Sequence, residues 1–186
     1  YTTDGSDPRL VGGAINPNAF SYESSISEET AFAAGSQWKY RDNGVDLGSS
    51  WRAKNFNDSA WASGVGEFGY GDGDEATVVS FGPNANNKYV TTYFRKQFAV
   101  SNVSEITKLT LGLKRDDGAV VYINGVEAAR SNMPSGTVTF QTFAASVVGG
   151  DDEARFYELQ IDPSLLHEGV NVIAVEIHQV NATSSD

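Results

Sequence analysis

Apolar and polar side chains alternate residue by residue in several short stretches, and this pattern constrains the fold more than any other feature. In the stretch 107–114 this alternation is unbroken: Leu109, Leu111 and Leu113 alternate with threonine, lysine and glycine. Successive side chains of a β-strand point to opposite faces, so a period of two predicts a strand with one buried face. The sequence therefore predicts an all-β fold.

Further stretches rich in β-branched and aromatic residues are bounded by Gly, Asn, Asp and Pro, as strands commonly are. Asn124-Gly125 predicts a hairpin turn with φ > 0 at both positions, and Asp162-Pro163 predicts the start of a short helical turn. Roughly eight closely spaced strands predict a jelly-roll β-sandwich of two antiparallel sheets. The further strands are predicted at 89–100, 119–123, 126–130, 137–143, 155–161 and 170–178.

The longest predicted strand, 89–100, is expected to carry one core face and one wetter face. Phe94 and Phe98 alternate there with Tyr93, Arg95 and Gln97. Because the second group is largely polar, we expect it to face solvent.

Composition limits both the organisation and the partners of the chain. Residues 1–35 are rich in Gly, Ser, Asn, Pro and acidic side chains and are predicted to be a linker or tail, followed by the sandwich at 36–186. Thirteen basic and 24 acidic residues give a net charge of −11, which disfavours nucleic acid as a partner. No apolar run approaches the roughly 20 residues of a membrane-spanning helix.

Four motifs together resemble the galactose-binding-like β-sandwich, a family that includes carbohydrate-binding modules and accessory domains of β-galactosidase-type glycosidases. Their order along the chain is the order found in that family. The resemblance implies a sugar-binding sandwich whose ligands come from loops at the strand ends. The motifs are FNDSAW at 56–61, YFRKQF at 93–98, DDGAVVYING at 116–125 and LHEGVNVIAVE at 166–176.

The first eight residues, YTTDGSDP, with Tyr22 and Thr30 following, resemble the end of the immunoglobulin-like domain at the C-terminus of bacterial chitobiases. This second resemblance implies that the sandwich is one part of a larger modular bacterial protein. We therefore expect covalently linked neighbouring domains and a secreted or cell-surface location.

Five residues are candidates for binding a sugar. Trp51 or Tyr70 could stack on a pyranose ring, Asp117 could accept hydroxyl hydrogen bonds, and Arg130 could donate them. His178 could be a polar ligand at the rim of the sandwich. Apart from Arg130, the other four each have a structural alternative: a buried ring that pins a loop, an aspartate that stabilises its own turn, or a half-exposed histidine.

A glycine-rich loop at 69–75, with sequence GYGDGDE, carries three carboxylates. Asp72, Asp74 and Glu75 could hold Ca²⁺, which takes oxygen ligands, although the spacing differs from that of an EF-hand. The alternative is a solvated acidic turn. We treat structural Ca²⁺ as a possible cofactor.

These observations lead to the hypothesis of a non-catalytic, monomeric carbohydrate-binding module that binds a polysaccharide or oligosaccharide through rim loops. The chain has two histidines and no cysteine, and it lacks the nucleophile and metalloprotease motifs of common hydrolases. The alternative hypothesis is a structural or protein-interaction β-sandwich, stabilised by calcium or by its core alone.

Overall fold

The structure, a computed structural model, describes residues 7, 9–16, 19, 27–71 and 73–184. The chain divides into two compact units, Tyr1–Thr30 and Ala31–Asp186. In the first unit an antiparallel bridge joins Arg9 to Ile15. The YTTDGSDP motif, apart from Asp7, and Tyr22 lie outside the described residues.

The second unit is mostly β. A six-stranded sheet, here called the main sheet, has the order β2-β1-β5-β10-β7-β8, and every pair in it is antiparallel. Strands β6 and β9 form an antiparallel pair, and β3 and β4 form a short parallel pair. The strands among the described residues are β1 (Gln37–Arg41), β2 (Ala62–Val65), β3 (Phe68–Gly69), β4 (Thr77–Val78), β5 (Thr91–Val100), β6 (Leu109–Leu113), β7 (Gly118–Ile123), β8 (Val126–Ser131), β9 (Tyr157–Ile161) and β10 (Gly169–His178).

The hydrophobic core lies between the main sheet and the β6–β9 pair. Val121, Ile173 and Val175 of the main sheet belong to one buried cluster with Leu113 of β6 and Ile161 of β9. Because side chains alternate across each strand, the apolar stripes of β7 and β10 turn to the same side. The predicted alternation at 107–114 is confirmed, with Leu109 and Leu111 packed against the same cluster.

Two local predictions are also confirmed. Asn124 and Gly125 have φ of 51° and 93° and connect β7 to β8. The Asp162 side chain accepts a hydrogen bond from the Ser164 N–H at 2.9 Å and begins a 3-10 turn with Pro163 at its start. Both turns rely on residues whose local chemistry suits them, which is why the sequence predicted them.

The strand predicted at 137–143 is wrong, because this segment contains no strand and covers the second face of the main sheet. Val138 and Phe140 pack there against Tyr93, Val120 and other residues of a second buried cluster. The expectation of a wetter face on β5 is therefore wrong for Tyr93 and Arg95, which are buried, whereas Gln97 on the same face is exposed. Among the described residues, no helix is long and apolar enough to cross a bilayer.

Candidate functional site

The second face of the main sheet, here called the loop-covered face, carries the site. Tyr93 of β5, Tyr122 of β7 and Ala174 of β10 point to this face and belong to one buried cluster. Loop residues from two parts of the chain pack on them, one set from 47–61 and the other from 133–140. The face is therefore covered by irregular chain segments.

A cavity of about 260 Å³, here called the Glu176 cavity, opens between these two loop segments. This volume lies just below the range of about 300–1,000 Å³ typical of small-molecule sites. Its lining combines two carboxylates, one guanidinium, four hydroxyls and aromatic rings. The lining residues are Asp46, Gly48, Ser49, Arg52, Tyr93, Thr137, Val138, Thr139, Phe140 and Glu176.

Glu176 is 2% exposed and takes part in a polar network around the cavity. Its Oε1 accepts hydrogen bonds from the Tyr122 hydroxyl at 2.6 Å and from the Arg52 guanidinium at 3.3 Å. Its Oε2 lies 3.5 Å from Nε2 of His178. Buried carboxylates need such partners, because an unpaired buried charge is costly.

Arg52 connects this network to solvent, since its side chain is 21% exposed. Its guanidinium carbon lies 4.1 Å from the centroid of the Tyr122 ring and 5.8 Å from that of Trp51. A cation over an aromatic face is attracted by the ring quadrupole. The geometry therefore holds the guanidinium at the cavity wall with hydrogen-bond capacity toward a ligand.

The two tyrosines of the site stay protonated across the physiological pH range. Burial raises the pKa of Tyr93 well above its ordinary range, and the negative charges of Glu176 and Asp46 raise it further. Burial and the hydrogen bond to Glu176 raise the pKa of Tyr122 in the same way. Both hydroxyls thus remain neutral hydrogen-bond donors.

The structure corrects the interpretation of Trp51 as an exposed stacking platform. Trp51 is 0% exposed and packs against Trp61, Tyr93 and Tyr122. Its ring pins the 47–61 segment to the sheet and offers no face to a sugar. The structural alternative therefore applies to Trp51.

Tyr70 is likewise unsuited to stacking on a ligand. It is 8% exposed, with the Phe81 ring 5.2 Å away and the Lys88 amino group 4.7 Å from its ring centroid. Phe81 and Lys88 thus occupy the surroundings of the ring that a sugar would need.

Asp117 and Arg130 both form internal contacts. Asp117 is fully buried, and its carboxylate accepts hydrogen bonds from the backbone N–H groups of Val148 at 2.7 Å and Val180 at 2.6 Å. Arg130 forms a two-pronged ion pair with Glu127, which raises the pKa of Arg130. It also donates to the Pro134 carbonyl at 2.5 Å. Neither side chain lines the Glu176 cavity.

His178 lies beside the site but not at a rim, because it is 0% exposed. Its Nδ1 is 2.8 Å from the Thr142 carbonyl oxygen, which can only accept a hydrogen bond, so Nδ1 carries the proton. Nε2 then faces Glu176. His178 is thus a buried neighbour of Glu176 rather than a rim ligand.

The predicted calcium ligands are only partly described. Asp72 lies outside the described residues, Asp74 is exposed, and Glu75 accepts a hydrogen bond from the Gly73 N–H at 3.0 Å. The described residues contain no group of three His, Cys, Asp or Glu side chains placed to hold a metal ion. Calcium binding by this loop stays a prediction.

Sequence reasoning missed Asp46, Arg52, Tyr93 and Glu176 as parts of one site. One signal was present: Glu176 interrupts the apolar run that begins at Val172, so a carboxylate occupies a buried strand position. A charged residue is almost never buried without partners. That interruption predicts partners for Glu176 but does not identify them.

Comparisons with known proteins agree on the fold alone. No protein-family model and no curated protein matches this chain. Among solved structures, the chain is similar to a β-glucuronidase of Bacteroides uniformis, with a TM-score of 0.52, 14% identity, and coverage of 82% of this chain and 14% of that one. It is also similar to a β-glucuronidase from glycoside hydrolase family 2, with a TM-score of 0.50, 17% identity, and coverage of 81% and 15%.

These likenesses show the fold alone: the chain has a β-rich fold similar to that of one part of these two β-glucuronidases. It spans less than a fifth of the length of either neighbour.

Proposed function

We propose that the chain is a non-catalytic carbohydrate-binding module of a larger, secreted or surface-borne protein, with a galactose-binding-like jelly-roll sandwich as its fold. The sugar would occupy the Glu176 cavity rather than the strand-end loops. The observation that carries the proposal is this cavity, in which carboxylates, a guanidinium and neutral hydroxyls line a pocket with two aromatic rings.

The lining suits a pyranose because it offers hydrogen-bond partners for the hydroxyls and aromatic surface for the C–H groups. Carboxylate oxygens of Asp46 and Glu176 accept hydroxyl hydrogen bonds, and Arg52 and Tyr93 donate them. The rings of Tyr93 and Phe140 provide apolar surface for the C–H groups. Two carboxylates against one guanidinium favour a neutral sugar over an anionic one.

The partners of the polar side chains around Glu176 support binding of a sugar rather than its hydrolysis. The Glu176 oxygens face Tyr122, Arg52 and His178, and the His178 Nδ1 proton is directed to a backbone carbonyl. Both tyrosines are held protonated and do not serve as bases near neutral pH. A shallow site for one or two sugars gives weak affinity, so useful retention would come from linked neighbouring domains.

Affinity electrophoresis of the 186-residue chain in gels containing cellulose ether, xylan, galactan or glycol chitin tests the proposal. We expect retardation on at least one neutral glycan. Asp46→Asn should weaken that binding by about tenfold, because a charge-assisted hydrogen bond contributes about 1.5 kcal/mol. Tyr93→Phe should weaken it while keeping the aromatic surface.

Asp151→Asn is the matched control, because Asp151 is also an exposed aspartate but lies outside the cavity. It should bind as the unchanged chain does. Equal loss in Asp46→Asn and Asp151→Asn would refute the assignment of the cavity. Hydrolysis of an aryl glycoside by the purified chain would refute the non-catalytic part.

A structural or protein-interaction module is the second candidate. The observation in its favour is that Trp51, Asp117 and Arg130 all take part in internal packing or bonding. It predicts no retardation on any glycan in the panel, with or without a chelator.

A further inference from the structure

A second cavity, here called the Arg95 cavity, lies on the same side of β5 as Tyr93. Its volume is about 290 Å³, and it shares no lining residue with the Glu176 cavity. Its walls come from β1, β5 and the segment 58–63. Polar side chains in its lining are Gln37, Lys39, Asp58, Ser63, Arg95, Lys96 and Gln97.

Arg95 is 1% exposed, and most of its guanidinium is fixed by the protein. Nε donates to Asp58 Oδ2 at 2.9 Å, and one terminal nitrogen donates to the carbonyls of Trp51 and Ala53. The other terminal nitrogen, Nη2, is buried and has no hydrogen-bond partner among the residues that the structure describes. Leaving a buried charged donor unsatisfied is costly, so the arrangement is expected to have a further partner.

The charge around this cavity is opposite to that of the whole chain. Asp58 balances Arg95, while Lys39 has no ion-pair partner in the described part of the chain. Lys96 also lines the cavity, and its amino group donates to the Gln37 carbonyl at 2.8 Å. An excess of cations in a chain of net charge −11 makes this a local site for an anion.

We propose that the Arg95 cavity binds the carboxylate or sulfate group of an acidic saccharide. One oxygen of the group accepts from Arg95 Nη2, and the Lys39 ammonium compensates the charge. Ser63 and Gln97 provide hydrogen bonds for neighbouring hydroxyls. Because a guanidinium fixed by three other bonds loses little freedom on binding, the site is preorganised.

Two-dimensional ¹H–¹⁵N NMR titration of the full chain tests this inference at constant ionic strength. The probes are sodium sulfate, sodium glucuronate and neutral glucose. We expect sulfate and glucuronate to shift the amide signals of Lys39, Arg95 and Gln97 saturably, and glucose to leave them unshifted. Binding of sulfate without glucuronate would overturn the saccharide assignment and indicate an inorganic anion.

Lys39→Gln is the test variant, since Arg95 holds the 51–58 segment and its replacement is expected to unfold that region. It should weaken glucuronate binding about fivefold, equivalent to about 1 kcal/mol. Lys108→Gln removes an exposed lysine outside the cavity and should change nothing. Gln97→Ala gives a second test on the β5 wall and should also weaken binding.

Equal weakening by Lys39→Gln and Lys108→Gln, or no saturable shift with either anion, would overturn the inference. Asp46→Asn in the Glu176 cavity should leave glucuronate binding intact, because the two cavities have separate linings. Failure of one proposal is thus distinguishable from failure of the other.

Discussion

Asp117 joins two distant chain segments, and replacing it with asparagine tests how the second unit is held together. The carboxylate is fully buried. Oδ1 accepts from the Val148 N–H, and Oδ2 accepts from the Val180 N–H and, at 3.3 Å, from the Ser184 hydroxyl. An asparagine has nearly the same shape but keeps only one acceptor oxygen, so one backbone N–H must face an amide NH₂ group.

The cost follows from the bonds that are lost. A hydrogen bond to a charged acceptor contributes about 1.5–3 kcal/mol, and a buried N–H left without a partner costs about 1–3 kcal/mol. These effects overlap, so we expect Asp117→Asn to lower the free energy of unfolding by about 2–4 kcal/mol. With a urea m-value of about 2 kcal/mol/M, the midpoint should fall by about 1–2 M.

Urea unfolding followed by tryptophan fluorescence measures this effect, because Trp38, Trp51 and Trp61 all belong to the second unit. Asp152→Asn is the control, since that side chain is 60% exposed and lies 3.7 Å from Arg155. An exposed pair of this kind contributes at most about 1 kcal/mol. If the two variants unfold within about 0.5 kcal/mol of each other at unchanged m-value, the structural role assigned to the Asp117 carboxylate is refuted.

Three further predictions concern the aromatic cluster, the tyrosines and the acidic loop. Trp51→Ala should destabilise the second unit by about 3–5 kcal/mol in urea unfolding, because it empties a fully buried position; near-native stability would contradict the packing. Folding raises the pKa values of Tyr93 and Tyr122. Their contribution to the free energy of unfolding is therefore fully present below the unfolded-state tyrosine pKa of about 10, and it is lost as the pH rises above that value. Tyr122→Phe should reduce this loss of unfolding free energy at alkaline pH. An unchanged dependence of the unfolding free energy on pH would contradict the prediction. If the 69–75 loop binds Ca²⁺, EDTA should lower the melting temperature by several degrees, whereas an unchanged melting curve would remove the calcium prediction.

Much of the main sheet could be predicted because its signals are local. The predicted segments at 89–100 and 170–178 overlap β5 and β10, which the structure gives as Thr91–Val100 and Gly169–His178. Period-two alternation and the Asn124-Gly125 turn depend only on neighbouring residues. Strands β1 to β4 escaped prediction; β2, β3 and β4 have only two to four residues, which give too little alternation to recognise.

The loop-covered face could not be predicted because it depends on contacts between distant residues. Arg95 looked like a solvent-facing residue of a half-buried strand, yet it bonds to Asp58, 37 residues away. The 137–143 segment has the composition of a strand but packs as a lid over Tyr93 and Val120. Local alternation shows which side chains share a face, but not whether a loop from elsewhere will cover that face.

The charged side chains around Glu176 could serve either stability or ligand binding. Breaking a buried pair by removing one partner costs about 3–5 kcal/mol, but replacing the whole set with apolar residues of similar size is often neutral or stabilising. Stability alone thus gives little reason to keep Glu176, Arg52 and Tyr122 together. A ligand in the cavity that bonds to Arg52 and Glu176 gives such a reason, because the cavity then needs polar walls and Tyr122 is needed to hold Glu176.

A triple variant, Glu176→Met, Arg52→Met and Tyr122→Phe, separates the two roles. It removes both charges and the hydroxyl that donates to Glu176 while keeping side-chain volume. If the network serves binding, the triple variant should unfold within about 1 kcal/mol of the unchanged chain and lose retardation on the glycan gel. Arg52→Met alone should destabilise the fold, because it leaves the Glu176 carboxylate without its guanidinium. A triple variant less stable than Arg52→Met alone would show that the network is structural, and would refute the assignment of these charges to ligand binding.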